Sequence, residues 1–274
     1  MISRMINYYK SNGFFPFLKK SIEKGLVYMK LVEDIPATRI RLSNHIYKIF
    51  DGKVKYGPLK GLQLNIEDMN WSKVDAGSII LGLYEYEVLL ELERLSKKCS
   101  IFCDIGAGDG IFAVGLLNSK LFKEATCFEI DERARKNIRN LAINNNVSQH
   151  IEILDGANHK SLSSLDINWE EALFLIDIEG EEFNLLDNKM LDSLRGATLI
   201  IEIHDQYTES PEKHRDELKE RLSNFYEIKT ISTSSRDLSG ISEIRLLHDN
   251  ERWLLCSEGR GWMMDWWVCE PREF

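Results

Sequence analysis

Acidic side chains end five short apolar runs between residues 101 and 204 of this 274-residue sequence. They are Asp104, Glu129, Asp155, Asp177 with Glu179, and Glu202 with His204. In an open parallel sheet, ligands bind beyond the carboxyl ends of the strands, where the residues that end successive strands converge. We therefore expect these carboxylates and the histidine to line one crevice.

A glycine-rich segment follows the first of these runs, in the sequence IFCDIGAGDG. Gly106, Gly108 and Gly110 lack a Cβ where the backbone must turn sharply and approach a ligand, and Ala107 lies between them. The apolar residues after Gly110 predict a helix. The pattern predicts a strand, a cofactor-binding turn and a helix, and a purely structural turn is the alternative.

Charge distinguishes two classes of cofactor for this loop. A dinucleotide places its pyrophosphate on the N-terminus of the helix, where added carboxylates repel it. The loop contains Asp109, follows Asp104, and reads GxGxG rather than GxGxxG. Two carboxylates suit a ligand with an ammonium and a sulfonium group, and S-adenosylmethionine carries both.

The next two acidic positions suit the adenosine part of that cofactor. Glu129 follows the loop by about twenty residues, the spacing at which a carboxylate accepts hydrogen bonds from both ribose hydroxyls. Asp155 and Gly156 are candidates to accept the exocyclic amine of adenine, and Ile130 is a candidate to cover one face of the ring. For Asp155, an Asx turn or a helix cap is the alternative.

The last two runs end in candidate catalytic residues. Glu202 and His204 lie two residues apart on one predicted strand and face the same side, which suits a general base and the acid that orients it. Asp177 and Glu179 would orient the ammonium group of the cofactor and the acceptor. In a second interpretation, these four side chains hold a divalent cation, Mg²⁺ or Mn²⁺, since oxygen ligands with one imidazole suit these ions.

Short apolar runs alternate with helical patterns from residue 100 onward, which predicts parallel strands joined by crossover helices. We predict strands at 101–105, 125–130, 150–154, 172–177 and 198–204, and helices at 84–97, 110–118, 131–144, 182–195 and 211–223. Residues 225–233 and 252–268 are predicted to pair antiparallel at one sheet edge. The predicted fold is α/β: a doubly wound, mostly parallel seven-stranded sheet, Rossmann-like, with an N-terminal helical appendage.

That appendage comprises residues 1–75 in our interpretation, and the catalytic domain comprises residues 76–274. The segment 53–66 alternates around turn residues and predicts a small hairpin. The three phenylalanines of the segment 14–17 predict a helical cap that buries its aromatic side chains. A substrate lid, a dimer contact and a membrane-surface anchor are the alternatives.

Tryptophans cluster near the C-terminal end of the sequence. Trp262, Trp266 and Trp267, with Arg260 nearby, predict either an aromatic wall against a sugar ring or the packed core of an edge strand. Burial of large aromatic side chains favours the core.

Composition narrows the class of protein. The formal net charge of -9 at pH 7 disfavours a nucleic-acid binder, because phosphate binding requires a concentrated positive field. The 5 cysteines lack a metal-ligand spacing, which indicates reduced thiols in the cytoplasm. No apolar segment is long enough to span a bilayer, so we expect a cytoplasmic protein with at most peripheral membrane contact. The sequence does not indicate an oligomeric state.

The glycine loop resembles motif I of class I S-adenosylmethionine-dependent methyltransferases. Asp104 matches the acidic position of that motif, and Gly106, Gly108 and Gly110 match its glycines. Glu129 matches its ribose-binding acid. The resemblance implies a doubly wound sheet and S-adenosylmethionine as the cofactor.

A narrower resemblance covers residues 80–205. The segments LGLYEYEVL, DIGAGDG, FEID, FLIDIEGEEFNLL and IIEIHD together resemble the FkbM family of methyltransferases, and DIEGEE is the most specific of these marks. Asp109 stands where that family often has Asn. Residues 1–75 and 206–274 match no motif of the family, so substrate choice is expected to lie there.

Members of the FkbM family commonly methylate hydroxyls, often on sugars, glycans or polyketide natural products. The resemblance therefore implies an O-methyltransferase with a small-molecule or glycan acceptor, as in polysaccharide biosynthesis. An N-methyltransferase of the same fold, an NAD-dependent oxidoreductase and a noncatalytic subunit with this fold are the alternatives. The acidic loop disfavours the oxidoreductase, and the acidic strand ends with His204 disfavour the noncatalytic subunit.

Overall fold

The computed structural model describes residues 18–22, 24–25, 34–70 and 72–272. Seven strands form one sheet: β1 (Ile101–Ile105), β2 (Glu124–Phe128), β3 (Ile151–Leu154), β4 (Ala172–Ile176), β5 (Thr198–Ile203), β6 (Tyr226–Ser232) and β7 (Asp265–Pro271). The strand order is β3-β2-β1-β4-β5-β7-β6. Strands β1 to β5 pair in parallel, and β7 runs antiparallel to both β5 and β6. This topology confirms the predicted mostly parallel seven-stranded sheet.

Helices cover both faces of the sheet. They are α1 (Ile35–Phe50), α2 (Ala76–Ile80), α3 (Tyr86–Leu95), α4 (Ile111–Asn118), α5 (Glu132–Asn144), α6 (His159–Ser163), α7 (Glu182–Leu185), α8 (Asn188–Ser193), α9 (Pro211–Ser223) and α10 (Asp249–Cys256). Alternate residues of β4 belong to two hydrophobic cores: Leu173 and Leu175 join one, and Phe174 and Ile176 join the other. A strand buried on both faces reads as a continuous apolar run, which is the pattern in the sequence.

The helix predicted at 182–195 consists of two short helices, α7 and α8. Leu186 and Asp187 separate them, and the Asp187 carboxylate accepts a hydrogen bond from the backbone N–H of Met190 at 2.7 Å. Asp187 is therefore the N-cap of a new helix rather than an interior helical residue.

The prediction of a strand at 252–268 is wrong over the first part of that range. Residues 249–256 form α10, which a capping box between His248 and Glu251 begins, and β7 starts only at Asp265. Gly259 and Gly261 lie in the loop between them, so the loop returns over the carboxyl end of β5 before the chain enters the sheet.

The described part of the N-terminal region packs on the body of the fold. Leu42 and Ile46 of α1 are fully buried in the same hydrophobic core as β1 and β4. The predicted hairpin at 53–66 is reduced to a single antiparallel bridge between Lys53 and Gln63. The phenylalanines of the segment 14–17 lie outside the described residues, and the domain division at residue 75 stays a prediction.

Two further expectations concern the cysteines and membrane-spanning segments. The five cysteines are buried and carry free thiols. Among the described residues, none of the helices combines the length and the apolar character that crossing a bilayer requires.

The glycine loop can pass close to β4 and α5 because Gly106 and Gly110 have no Cβ. A Cβ on Gly106 would lie 1.8 Å from the carbonyl oxygen of Asp177, and its φ of +88° is in the left-handed region. A Cβ on Gly110 would lie 2.9 Å from the side chain of Ile138 in α5. At Gly108, with φ +53°, a Cβ would meet no atom within 4 Å, so this position faces open space.

We expect Gly106→Ala to destabilise the protein far more than Gly108→Ala. Both substitutions force a left-handed backbone on a residue with a Cβ, which costs about 1–2 kcal/mol. Only Gly106→Ala also forces a Cβ into the backbone of Asp177, so β1 and β4 must separate. Urea unfolding of the two purified variants measures the difference, and equal losses of stability would contradict the described loop packing.

Candidate active site

A cavity of about 930 Å³ opens at the carboxyl ends of β1, β2 and β4. Most of the predicted cofactor residues line it: Asp104, Gly106, Ala107, Gly108, Glu129, Ile130, Gly156 and Asp177. The predicted catalytic residue Glu179 lines it as well. Four predicted residues lie outside its lining: Gly110, Asp155, Glu202 and His204.

Glu129 is held rigidly at the end of β2. Its Oε2 atom accepts a hydrogen bond from the backbone N–H of Gly108 at 2.8 Å, and its Oε1 atom accepts one from Asp131 at 2.8 Å. The side chain is 8% exposed. Each carboxylate oxygen has a second lone pair, so both remain able to accept a hydrogen bond from a ligand in the cavity.

An apolar slot lies beside Glu129. Ile130 is 80% exposed, an unusual position for an aliphatic side chain, and a Cβ on Gly156 would lie only 2.8 Å from it. Ala157 continues the same wall. A flat apolar ring suits this slot.

Asp155 is engaged in its own turn. Its Oδ1 atom accepts hydrogen bonds from Arg135 at 3.0 Å and from the backbone N–H of Gly156 at 2.8 Å. This arrangement corresponds to the local-turn alternative, and its role toward adenine stays a prediction.

The inner end of the cavity is strongly acidic. Asp104 is 2% exposed, and its Oδ2 atom is buried without a hydrogen-bond partner. Burial raises the pKa of Asp104 well above its usual range, and the neighbouring charges of Asp177 and Glu129 raise it further. A cationic ligand at this end would compensate both the burial and the repulsion.

His204 lies at the end of β5, in contact with the carboxylates that border the cavity. Its side chain is 3% exposed. The backbone N–H of His204 donates to Oε1 of Glu182 at 2.7 Å, and Nδ1 of the ring lies 3.4 Å from the same oxygen. The other Glu182 oxygen accepts from the backbone N–H of Gly180 at 2.9 Å. Glu182 therefore holds the backbone of His204 and the loop after β4, while Nδ1 of the ring makes no hydrogen bond.

Three carboxylates surround the other ring nitrogen of His204. Its Nε2 atom lies 3.6 Å from Asp177, 3.7 Å from Glu179 and 3.9 Å from Glu202. Burial lowers the pKa of His204, but Glu182, Asp177 and Glu179 together raise it above its usual value. The four predicted catalytic residues thus do meet in one cluster, which we call the His204 cluster (Asp177, Glu179, Glu202 and His204).

The structure changes one detail of the predicted pair of base and orienting acid. Glu202 does not face Nδ1 of His204, because its carboxyl group is bonded to the guanidinium of Arg260. Burial raises the pKa of Glu202 to about 11, and Asp177 contributes to this rise. The carboxylate near Nδ1 is that of Glu182, which is fully buried.

Arg260 provides the positive charge next to this cluster. Besides Glu202, its guanidinium donates to Glu85 at 2.6 Å and to Glu258 at 2.7 Å. Burial raises the pKa of Glu85 to about 7, while Arg260 opposes that rise. One side chain in the loop before β7 therefore joins the start of α3 to the end of β5.

Aromatic side chains extend outward from His204. Tyr207 stacks on its ring with the centroids 5.7 Å apart, and Trp262 meets Tyr207 edge-on at 6.1 Å. Both are more than half exposed. Trp266 and Trp267 are 1% exposed and pack in the two cores, as the core alternative for the tryptophans predicts.

Sequence reasoning missed four residues of this site: Glu85, Glu182, Tyr207 and Arg260 in its role as counterion. Only Glu182 had a signal, because it belongs to the DIEGEE segment and follows a glycine that a tight turn requires. The others reach the site through loops whose paths the periodicity does not predict.

Among known proteins, the chain is similar to solved structures. No family model matches the chain, and no curated protein matches it. Among solved structures, an O-methyltransferase from Bacillus cereus in complex with SAH is 10% identical, with 91% of this chain and 97% of that chain covered and a TM-score of 0.44. A proposed O-methyltransferase from Klebsiella pneumoniae is 12% identical, with coverages of 92% and 97% and a TM-score of 0.47.

A third solved structure is a proposed tRNA (m1A22) methyltransferase from Streptococcus pneumoniae in complex with S-adenosyl-L-methionine. It is 13% identical, 68% of this chain and 73% of that chain are covered, and the TM-score is 0.44. These neighbours are methyltransferases. What each of them binds or modifies is a property of that protein.

We expect Arg260→Ala to destabilise the protein by about 3 kcal/mol, because the buried Glu85 and Glu202 lose their counterion, while Glu258 keeps its ion pair with Arg236. Without Arg260, the pKa of Glu85 rises further above its unfolded-state value. Ionising Glu85 then costs more, so the loss relative to wild type grows as the pH rises above about 7 and is smaller at about pH 6.

Chemical unfolding at both pH values measures this effect. Arg94→Ala is the control, since the Arg94 side chain is 43% exposed and its partners Glu91 and Glu270 keep ion pairs with Lys229 and Lys98, so we expect a loss of about 1 kcal/mol or less. Similar losses for the two variants, or a loss for Arg260→Ala that does not change with pH, would contradict the assigned role.

Proposed function

We propose that the protein is an S-adenosylmethionine-dependent O-methyltransferase that acts on a hydroxyl group. The observation that carries this proposal is the charge of the cavity. The described residues that line it include eight acidic side chains and neither lysine nor arginine. Such a cavity favours a ligand with an ammonium and a sulfonium group and disfavours one with phosphates.

The parts of the cofactor fit different sections of the cavity. The acidic end with Asp104 and Asp177 suits the positive charges of the methionine part, and Asp104 has a buried oxygen without a partner. Glu129 suits the ribose hydroxyls, and the slot beside Ile130 suits adenine. When bound, the cofactor supplies a methyl group that its sulfonium already activates.

The backbone of the glycine loop argues against a dinucleotide. A pyrophosphate site needs free N–H groups at the start of the helix. Here the N–H groups of Gly106 and Ala107 donate to the carbonyl of Phe128, that of Gly108 donates to Glu129, and that of Gly110 donates back to Ala107. The loop therefore presents few donors to a phosphate, in keeping with the acidic lining.

The His204 cluster supports transfer to oxygen. Methyl transfer is an in-line displacement, so the protein must align the acceptor and take up its proton. A hydroxyl holds its proton tightly and needs help that a neutral amine does not. His204, oriented by the buried Glu182 and bordered by Asp177 and Glu179 at the cavity wall, is placed to give that help.

Exposed aromatic faces next to this cluster support a sugar-like acceptor. Tyr207 and Trp262 present ring surface beside His204, and aromatic rings bind the apolar faces of sugars. The resemblance to the FkbM family points in the same direction, toward a hydroxyl of a glycan or natural product. We further propose that residues 1–75 and 206–274 select the acceptor, because the segments that carry the family resemblance lie between them.

The function is tested by incubating the protein with S-adenosylmethionine and separate panels of sugars, phenols and amines, and measuring the masses of the products. We expect one added methyl group on a hydroxylated acceptor. Methylation of amines alone would instead show an N-methyltransferase. A cofactor that binds but is never turned over with any panel would favour the noncatalytic alternative.

We expect Glu129→Ala to weaken the binding of S-adenosylhomocysteine by at least about tenfold, since charged hydrogen bonds to the ribose are lost. Glu132→Ala removes the same charge from an exposed position at the start of α5 and serves as the control. Isothermal titration calorimetry of both variants is the measurement, and equal affinities would remove Glu129 from the ribose site.

We expect Trp262→Ala to raise KM for a sugar acceptor by about tenfold while the affinity for S-adenosylhomocysteine stays unchanged. Trp262 contacts Tyr207, which stacks on His204, and Trp262 does not line the cavity proposed for the cofactor. Trp253→Ala, which removes another half-exposed tryptophan from α10, is the control. A change of cofactor affinity with KM unaltered would contradict a role of Trp262 in acceptor binding.

A further inference from the structure

We propose that a divalent cation, Mg²⁺ or Mn²⁺, binds between Asp177, Glu179 and His204. This inference rests on the proposed function, because it specifies how the same cluster removes the proton of the acceptor hydroxyl. It differs from that function in naming a resident ion and the three side chains that ligate it.

The geometry of the three ligand atoms suits an ion. Nε2 of His204 lies 3.6 Å from Oδ1 of Asp177 and 3.7 Å from Oε2 of Glu179, and the three atoms lie within 4.8 Å of one another. These distances are too long for hydrogen bonds. Neighbouring ligand atoms around a six-coordinate Mg²⁺ lie about 3 Å apart, so small side-chain movements close the site.

Two polar atoms beside the proposed ion lack a hydrogen-bond partner. The side chain of His204 is 3% exposed, and its Nε2 atom lies 3.6 Å or more from the surrounding carboxylates, beyond hydrogen-bond distance. Oδ1 of Asp177 is buried without a hydrogen-bond partner. An unpaired buried oxygen is costly, and here it lies 3.6 Å from the unpaired Nε2 atom.

Glu182 determines what Nε2 offers to that place. Its carboxylate lies 3.4 Å from Nδ1 of His204, which makes no hydrogen bond, and its negative charge favours a ring proton on Nδ1 over one on Nε2. In that neutral tautomer Nε2 carries a lone pair beside the oxygens of Asp177 and Glu179, and none of these three atoms can donate to another. A carboxylate behind a ligating histidine is the usual support for such a metal ligand.

A second carboxylate set nearby already has its cation. Glu85, Asp177 and Glu202 also lie within ligand distance of one another, but Arg260 donates to both glutamates. No lysine or arginine of the described ranges lies within ion-pair distance of Asp177 or Glu179. The unmet negative charge is therefore on the outer set, where a divalent ion would balance two carboxylates.

The chemistry that such an ion supplies is a lowered pKa of a hydroxyl that binds it. Asp177 and Glu179 both border the cavity, so the free coordination positions face the space that holds the acceptor. His204 then acts as a ligand rather than as the general base, Glu182 positions it, and the proton of the hydroxyl leaves to solvent through the cavity.

Titration of Mn²⁺ into the protein, followed by electron paramagnetic resonance of the free ion, tests the site. Titrations are run with and without S-adenosylhomocysteine, whose own binding is measured calorimetrically. We expect one strongly bound Mn²⁺ per chain, displaced by excess Mg²⁺. Glu179→Gln should weaken Mn²⁺ binding at least about tenfold, because it removes a charged ligand, and its exposed side chain makes a general loss of folding unexpected.

Glu181→Gln is the matched control, because it removes an equal charge two residues away, outside the three ligands, and should keep Mn²⁺ affinity within about threefold of wild type. The electron spin echo of bound Mn²⁺ should also show an imidazole nitrogen in wild type that is absent in His204→Gln. Absence of Mn²⁺ binding, or equal loss in both glutamate variants, would overturn the site. Retained S-adenosylhomocysteine binding would then leave the proposed function standing, and its loss in wild type would reject that function instead.

Discussion

Repulsion between carboxylates at the carboxyl end of the sheet is the constraint on which the site depends. Asp104, Asp177 and Glu202 end three adjacent strands, so the parallel topology brings them together. Arg260 offsets part of this repulsion by donating hydrogen bonds to Glu202 and Glu85. Arg260 lies in the loop before β7. The C-terminal segment therefore contributes to a site whose other residues lie at the carboxyl ends of β1, β4 and β5.

The same constraint separates the site into two regions of different chemistry. In one region the guanidinium of Arg260 supplies the positive charge. There Glu85 and Glu202 have a structural role, because their bonds to Arg260 connect α3, β5 and the loop before β7. Where no lysine or arginine of the described residues forms an ion pair, at Asp104 and at Asp177 with Glu179, a bound cation would balance the negative charge. An acidic cavity whose loop amides are already paired is suited to a cationic cofactor, and the cluster beside it is suited to a metal ion and a hydroxyl.

Much of the fold was predictable from local patterns, and much of the site was not. The limits of β1 and α9 agree with the prediction, since IFCDIG ends a strand in a glycine turn and Pro211 begins a helix. The helix break at Asp187 and the helix α10 were missed because capping by side chains outweighed the apolar pattern. Period-two alternation placed Glu202 and His204 on one face, but only the fold shows that Glu182 orients the histidine and that Arg260 holds Glu202.

The measurement that tests the central claim most directly is a calorimetric titration of the purified protein with S-adenosylhomocysteine, NAD and NADP in parallel. The acidic cavity and the paired loop amides predict that the thioether binds with one site per chain and that neither dinucleotide binds. Binding of NAD or NADP in place of S-adenosylhomocysteine would contradict the account, because it would mean that the loop accepts a pyrophosphate despite its charge.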